Sequence, residues 1–72
     1  MAKPILAPGA SGDFVRALQH ALVANGYSVG PAGVSGTFDN ATTAALEAFQ
    51  GDAALPVQPL CDAATWAALG PS

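Results

Sequence analysis

Between residues 13 and 25 apolar side chains recur at the spacing of one helix face: Val15, Leu18 and Leu22, flanked by Phe14, Ala21 and Val23. Arg16, Gln19 and His20 fall mainly off that stripe. The preceding Gly9-Ala10-Ser11-Gly12 is a turn in which Ser11 or Gly12 caps the helix, and Asp13 sets a carboxylate at the positive end of the helix dipole. Asn25-Gly26 ends the stripe, with Gly26 suited to the left-handed conformation that closes many helices. Tyr27 then stands where a contact back onto the last turn is common. The spacing predicts a first helix over 13–25.

After a loop from Ser28 to Thr37, carrying Gly30, Pro31, Gly33 and Gly36, a second pattern begins at Phe38-Asp39. Asp39 is placed to cap, accepting from the Ala41 or Thr42 amide, and Phe38 precedes it as a staple residue does. Ala41, Ala45, Leu46 and Phe49 form the buried stripe, and Gln50-Gly51 closes it, which predicts a helix over 40–50. A second loop, Asp52 to Leu60, contains Pro56 and Pro59. Asp62 then caps a short helix over 63–69 with Thr65, Trp66 and Leu69, stopped by Gly70-Pro71. Strand content is expected to be small.

The second and third patterns are copies of each other. The nine residues Phe38 to Leu46 recur 23 positions later as Cys61 to Leu69, identical at six of nine places. A short chain with a repeated turn-and-helix unit is expected to be all-α, one domain over 1–72, a compact three-helix bundle whose repeated corners form a continuous surface.

Length sharpens the picture. A core of 72 residues contributes only about 3–5 kcal/mol of net stability unless a staple is added. A single cysteine forms no internal disulfide, and Cys61 with the lone His20 cannot complete a four-ligand zinc site, so no metal and no cofactor is expected. Stability must come from helix packing, caps and stiff turns.

Charge excludes partners. The net charge is −3, with Lys3 and Arg16 the only basic side chains, too few to neutralise a phosphate backbone or to hold an anionic membrane. No apolar run approaches the roughly 18 residues of a spanning helix, so no membrane insertion is expected. Met1 to Pro8 does not read as a secretory leader, its apolar stretch being short and broken by prolines. A chain complete as it stands would start in the cytoplasm, and one excised from an exported or phage-delivered protein would be associated with the wall it serves.

Catalytic chemistry finds no support in the pattern. Asp39 and Asp62 read as caps, leaving Asp13, Glu47 and Asp52 as the other acids, and a small bundle has little room for a carboxylate pair across a deep cleft. A Cys61 thiol paired with His20 lacks an orienting group and an oxyanion arrangement, and Cys61 reads better as a small buried filler. No catalytic residue is assigned and the chain is not expected to be an enzyme.

Taken in order, Leu6, Gly9, Gly12, Val15, Leu18-Gln19, Leu22, Gly26-Tyr27, Gly36-Thr37-Phe38, Thr42, Leu46, Phe49-Gln50, Thr65-Trp66 and Leu69 resemble the peptidoglycan-binding domain found at the ends of many bacterial cell-wall hydrolases. The likeness runs over nearly the whole chain. It departs at the second loop, where Val57-Gln58-Pro59-Leu60-Cys61-Asp62 stands in place of the usual Val-Asp-Gly and a further glycine, which stiffens that corner. The first loop, Ala32-Gly33-Val34-Ser35-Gly36, also replaces the more usual Asp-Gly.

What the resemblance implies is a non-catalytic wall-binding module, its partner peptidoglycan, held through the stem peptide or the glycan. Candidate binding residues are Tyr27, Ser35, Asp39, Asn40, Thr42, Gln50 and Trp66. Each has a plainer reading. Trp66 is either a platform with an open indole edge or the main core residue, and the scarcity of large side chains favours the core. Asp39, Thr42, Asp62 and Thr65 are explained by helix initiation alone, and Gln19 and Gln50 by hydrogen bonds to a loop backbone. The alternative function is protein docking or assembly on the same fold, as in a phage or secretion-type particle, because a surface from a chain with 10% charged residues also suits a protein partner.

Overall fold

The computed structural model describes residues 3–70. It contains α1 (Asp13–Ala24), α2 (Asn40–Asp52) and α3 (Ala63–Leu69), with α1 packed against both of the others. Among the described residues there is no strand, only two isolated antiparallel bridges, Leu6 with Cys61 and Ser11 with Thr37.

The caps explain where the helices begin and end. Asp39 Oδ1 accepts from the Thr42 amide at 2.9 Å and Asp62 Oδ1 from the Thr65 amide at 3.0 Å, so the repeated Asp-to-Leu segments start in the same way. These bonds to the charged form hold both carboxyls below the ordinary aspartate range. Gly12 occupies the cap position of α1 with no side-chain bond, at φ 114. At the far end of α1, Gly26 N–H donates to the Val23 carbonyl and Tyr27 N–H to the Leu22 carbonyl, with Gly26 at φ 91. That pair of bonds satisfies carbonyls the helix would otherwise leave open.

α2 departs from the sequence expectation. It does not close at Gln50-Gly51 but runs on to Asp52, and Leu55 N–H then donates to the Gln50 carbonyl at 2.8 Å. The left-handed position of this closure is taken by Ala54 at φ 60, not by a glycine. The first helix is shorter than expected by one residue, since Asn25 caps it.

The core gathers Val15, Leu18 and Leu22 from α1, Leu46 and Phe49 from α2, and Trp66 and Leu69 from α3. Phe38 and Cys61, which precede α2 and α3 at equivalent places of the repeat, are both buried beneath it. The N-terminal segment ties these corners together. Leu6 exchanges backbone bonds with Cys61, while Phe38 N–H donates to Ala10 and Gly12 N–H to Gly36. One extended stretch therefore pairs with both copies of the repeat. Val29, inside the first loop, is also buried.

Candidate binding site

The two glutamines that end Leu18-Gln19 and Phe49-Gln50 build the corners. Gln19 Nε2 donates to Thr42 Oγ1 at 3.0 Å and to the Thr37 carbonyl at 3.0 Å, while its Oε1 accepts from Gly36 N–H at 2.8 Å. Gln50 repeats the arrangement one unit later: Nε2 donates to the Leu60 carbonyl at 2.9 Å and to Thr65 Oγ1 at 3.3 Å. Its Oε1 accepts from Gln58 N–H at 2.9 Å. The shift from the Gly36 position has a chemical cause. The residue 23 places after Gly36 is Pro59, which has no N–H, so the bond moves back to Gln58.

These contacts decide several candidate residues. Thr42 and Gln50 are wholly buried and their polar atoms are used inside the fold. As they stand they offer a ligand no surface, and both hold loops in place. Trp66 is 6% exposed and its indole N–H donates to the Pro4 carbonyl at 2.9 Å, so it is the core residue that the shortage of large side chains suggests. The Lys3 ammonium lies 5.1 Å from its ring centroid. Asp39 is half-buried and engaged as a cap, with Asn40 exposed beside it. Ser35 is exposed on the first loop, its hydroxyl accepting from Thr37 N–H.

Tyr27 alone of the seven lines a groove. This shallow hollow of ≈ 360 Å³ lies between the end of α1, which contributes Val23 and Gly26, and the first loop. Ser28, Val29, Gly30 and Gly33 supply the loop side. Tyr27 is fixed there from two directions. Its ring meets Phe49 edge-on, with centroids 5.7 Å apart at 87°, and its hydroxyl donates to Asp52. That bond and the neighbouring carboxylate charge raise the hydroxyl above the usual tyrosine range.

A shallow groove at the end of the first helix beside the two loops is what the resemblance implies; the groove found here involves the first loop, whose lining residues carry no periodic signal because they are glycine backbone and small side chains. The run of glycines was the available signal. At Gly30, φ is +91 and an added Cβ would fall 2.6 Å from the Ala41 Cβ, so the loop can lie against α2 only with glycine at that point.

The groups with reactive potential are placed for structure. Cys61 is buried, and burial together with the Asp62 charge pushes its thiol up to about 12. His20 is exposed. No cluster of three or more potential metal ligands occurs among the described residues, and no helix among them is long and apolar enough to cross a membrane.

Against this geometry the comparisons with known proteins are consistent. Residues 11–69 match the family model described as a peptidoglycan binding domain. The chain belongs to that family. It is 42% identical over 65 residues to the N-acetylmuramoyl-L-alanine amidase CwlL of Bacillus licheniformis, covering 90% of this chain and 18% of the amidase. The N-terminal domain of SleB superposes with a TM-score of 0.85 at 39% identity, covering 92% of this chain and 88% of that one. A peptidoglycan-binding protein from Clostridioides difficile, crystallised with glutamine hydroxamate, gives 0.88 at 32% identity, over 96% of this chain and 42% of its own. The endolysin of Burkholderia phage AP3 gives 0.86 at 28%, over 93% and 25%. The peptidoglycan-binding domain is thus a module found in cell-wall hydrolases, and this chain spans about a fifth of the amidase's length.

Proposed function

We propose that this chain is a non-catalytic module that holds peptidoglycan and so concentrates an attached or partner protein at the bacterial wall. The observation that carries the reading is the open groove at the end of α1, in a member of this family. Tyr27 forms its aromatic wall, while Ser35, Asp39 and Asn40 stand on the exposed corner that follows the same loop. The groups suited to chemistry are occupied elsewhere: Cys61 by burial, Asp39 and Asp62 by helix capping. Weak binding at one such groove suffices, because tethering multiplies effective concentration.

The test is co-sedimentation of the purified chain with insoluble peptidoglycan sacculi, beside a size-matched unrelated protein. Enrichment of the chain in the pellet is expected, and equal retention of both proteins in the supernatant overturns the reading.

Protein docking is the second reading, favoured by one observation. Ile5 is 67% and Leu60 36% exposed next to the Leu6–Cys61 bridge, an apolar edge at the stiffened corner away from the groove. If that edge carries the function, replacing Ile5 and Leu60 by serine abolishes capture of the partner and leaves sacculus binding unchanged.

A further inference from the structure

We infer that the groove takes the peptide part of the wall polymer, a short anionic peptide with alanine-sized side chains, and that Arg16 receives one of its carboxylates. This rests on the wall-binding reading above and narrows it to one half of a polymer made of amino-sugar strands and acidic, alanine-rich stems.

The aromatic side chains argue against a sugar. A pyranose ring is bound by stacking on an exposed aromatic face. Trp66, Phe38 and Phe49 are buried, and Tyr27 is half-buried with its ring against Phe49 and its hydroxyl given to Asp52. Phe14 is the one exposed aromatic among the described residues, and it lies nine positions from Val23, about 180° around α1 from the groove wall. The groove offers instead the exposed side chain of Val23 and the backbone at Gly26, Gly30 and Gly33, laid over the buried Val29. A bare backbone rim lets another chain approach closely, and small apolar walls suit methyl groups.

Charge decides where a carboxylate of the ligand can sit. The chain carries −3, so an anionic peptide needs a cation near the groove, and Lys3 is committed to Trp66 at the other corner. Arg16 is seven residues before Val23, which returns it to nearly the same side of α1 about 10 Å along the axis. Its guanidinium is held there by the first loop. An added Cβ at Gly36 would fall 3.0 Å from Arg16 Cζ, so the absent side chain makes the seat for the guanidinium plane. One donor is given to Asp13 Oδ1 at 2.9 Å, an exposed pair that a better-placed carboxylate can displace. The other donors of the fork suit bidentate recognition of a carboxylate.

The experiment is a heteronuclear NMR titration of the chain with three soluble probes: the N-acetylated tetrapeptide L-Ala-γ-D-Glu-L-Lys-D-Ala, which is net anionic, the same peptide with its carboxyls amidated, and the peptide-free disaccharide of N-acetylglucosamine and N-acetylmuramic acid with its lactyl carboxyl amidated. The tetrapeptide is expected to shift the amides of Gly26, Tyr27, Gly30 and Gly33 and the Arg16 Nε–H signal. Amidation of the peptide, or the substitution Arg16→Gln, weakens it about tenfold, the loss of one charged hydrogen-bonded contact. Because amidation leaves the protein untouched, a fold defect in the variant cannot imitate that result. Binding of the disaccharide with no response to the tetrapeptide overturns the inference, as does equal affinity for the free and amidated peptides. Retention of the chain on whole sacculi in either case shows that the wall-binding reading survives; loss of sacculus binding removes both.

Discussion

Gln19 donates to the Thr42 hydroxyl over 3.0 Å, and the two side chains, 23 residues apart, are both wholly buried. This contact locks the first loop between α1 and α2, since the same amide also holds the Thr37 carbonyl and Gly36 N–H. It fixes the loop that makes one side of the groove. A polar bond thereby links core packing to the groove.

Replacing Gln19 by leucine keeps the volume and strips every partner at once. Gly36 N–H is then buried without a mate and the Thr42 hydroxyl keeps only its contact with Asp39, at a cost of about 2–4 kcal/mol. Gln50→Leu is expected to cost less, because the Gln58 N–H it leaves without a partner is only half-buried, whereas Gly36 N–H is buried. Urea unfolding followed by Trp66 fluorescence ranks the two; the reverse order would contradict the asymmetry between the corners.

Ala54 offers the opposite case. It closes α2 at φ 60, a conformation that disfavours a Cβ. Ala54→Gly should stabilise the chain by about 0.5–1 kcal/mol, the relief of strain exceeding the added freedom of the unfolded chain. A rise in the thermal midpoint checks it, and a fall shows that the turn is not strained.

At Gly30 a methyl group meets both a left-handed backbone and the Ala41 Cβ 2.6 Å away. Gly30→Ala is expected to destabilise by roughly 2 kcal/mol or more. It should also shift the amides of Ser28 and Gly33 in NMR spectra, because the groove wall must move. Unchanged stability and spectra would mean that the loop does not pack on α2 as described.

The capping aspartates give a pH dependence of known sign. Both Asp39 and Asp62 are held below the ordinary aspartate value by the amide bonds they accept, so the folded state binds protons less readily than the unfolded chain. Their contribution is therefore complete above that value and is lost as pH falls through the lower folded-state value. Urea midpoints should be level between pH 5 and 7 and drop below about pH 4. The double variant Asp39→Asn and Asp62→Asn should flatten the drop; an equally steep fall in that variant would assign it to other groups.

Much of the fold was legible because its signals are local. Asp39 and Asp62 mark helix starts by their own side chains, Asn25-Gly26 marks an end, and the nine-residue repeat announces equivalent corners. Gly51 misled, since glycine inside a helix is tolerated and the actual closure uses Ala54, a residue with no turn signature. The residues of the groove were less legible. Tyr27 could be named from its place after Gly26, but Val23, Val29 and the loop glycines become neighbours only when Gln19 folds the first loop onto α1. Thr42, Gln50 and Trp66 stood out in the sequence for the reason that makes them unavailable: they are the fold's internal braces. Arg16 gave no signal, because its seat is a missing side chain at Gly36.

The account rests on recognition at the groove between α1 and the first loop. Val23 is 50% exposed on its wall, so Val23→Glu adds an anionic charge there without disturbing the core, while Ala64→Glu adds the same charge on the first turn of α3. Both variants should fold and be compared with the unaltered chain by co-sedimentation on purified sacculi. The account predicts that Val23→Glu stays in the supernatant while Ala64→Glu pellets as the unaltered chain does. Equal pelleting of the two variants would contradict it.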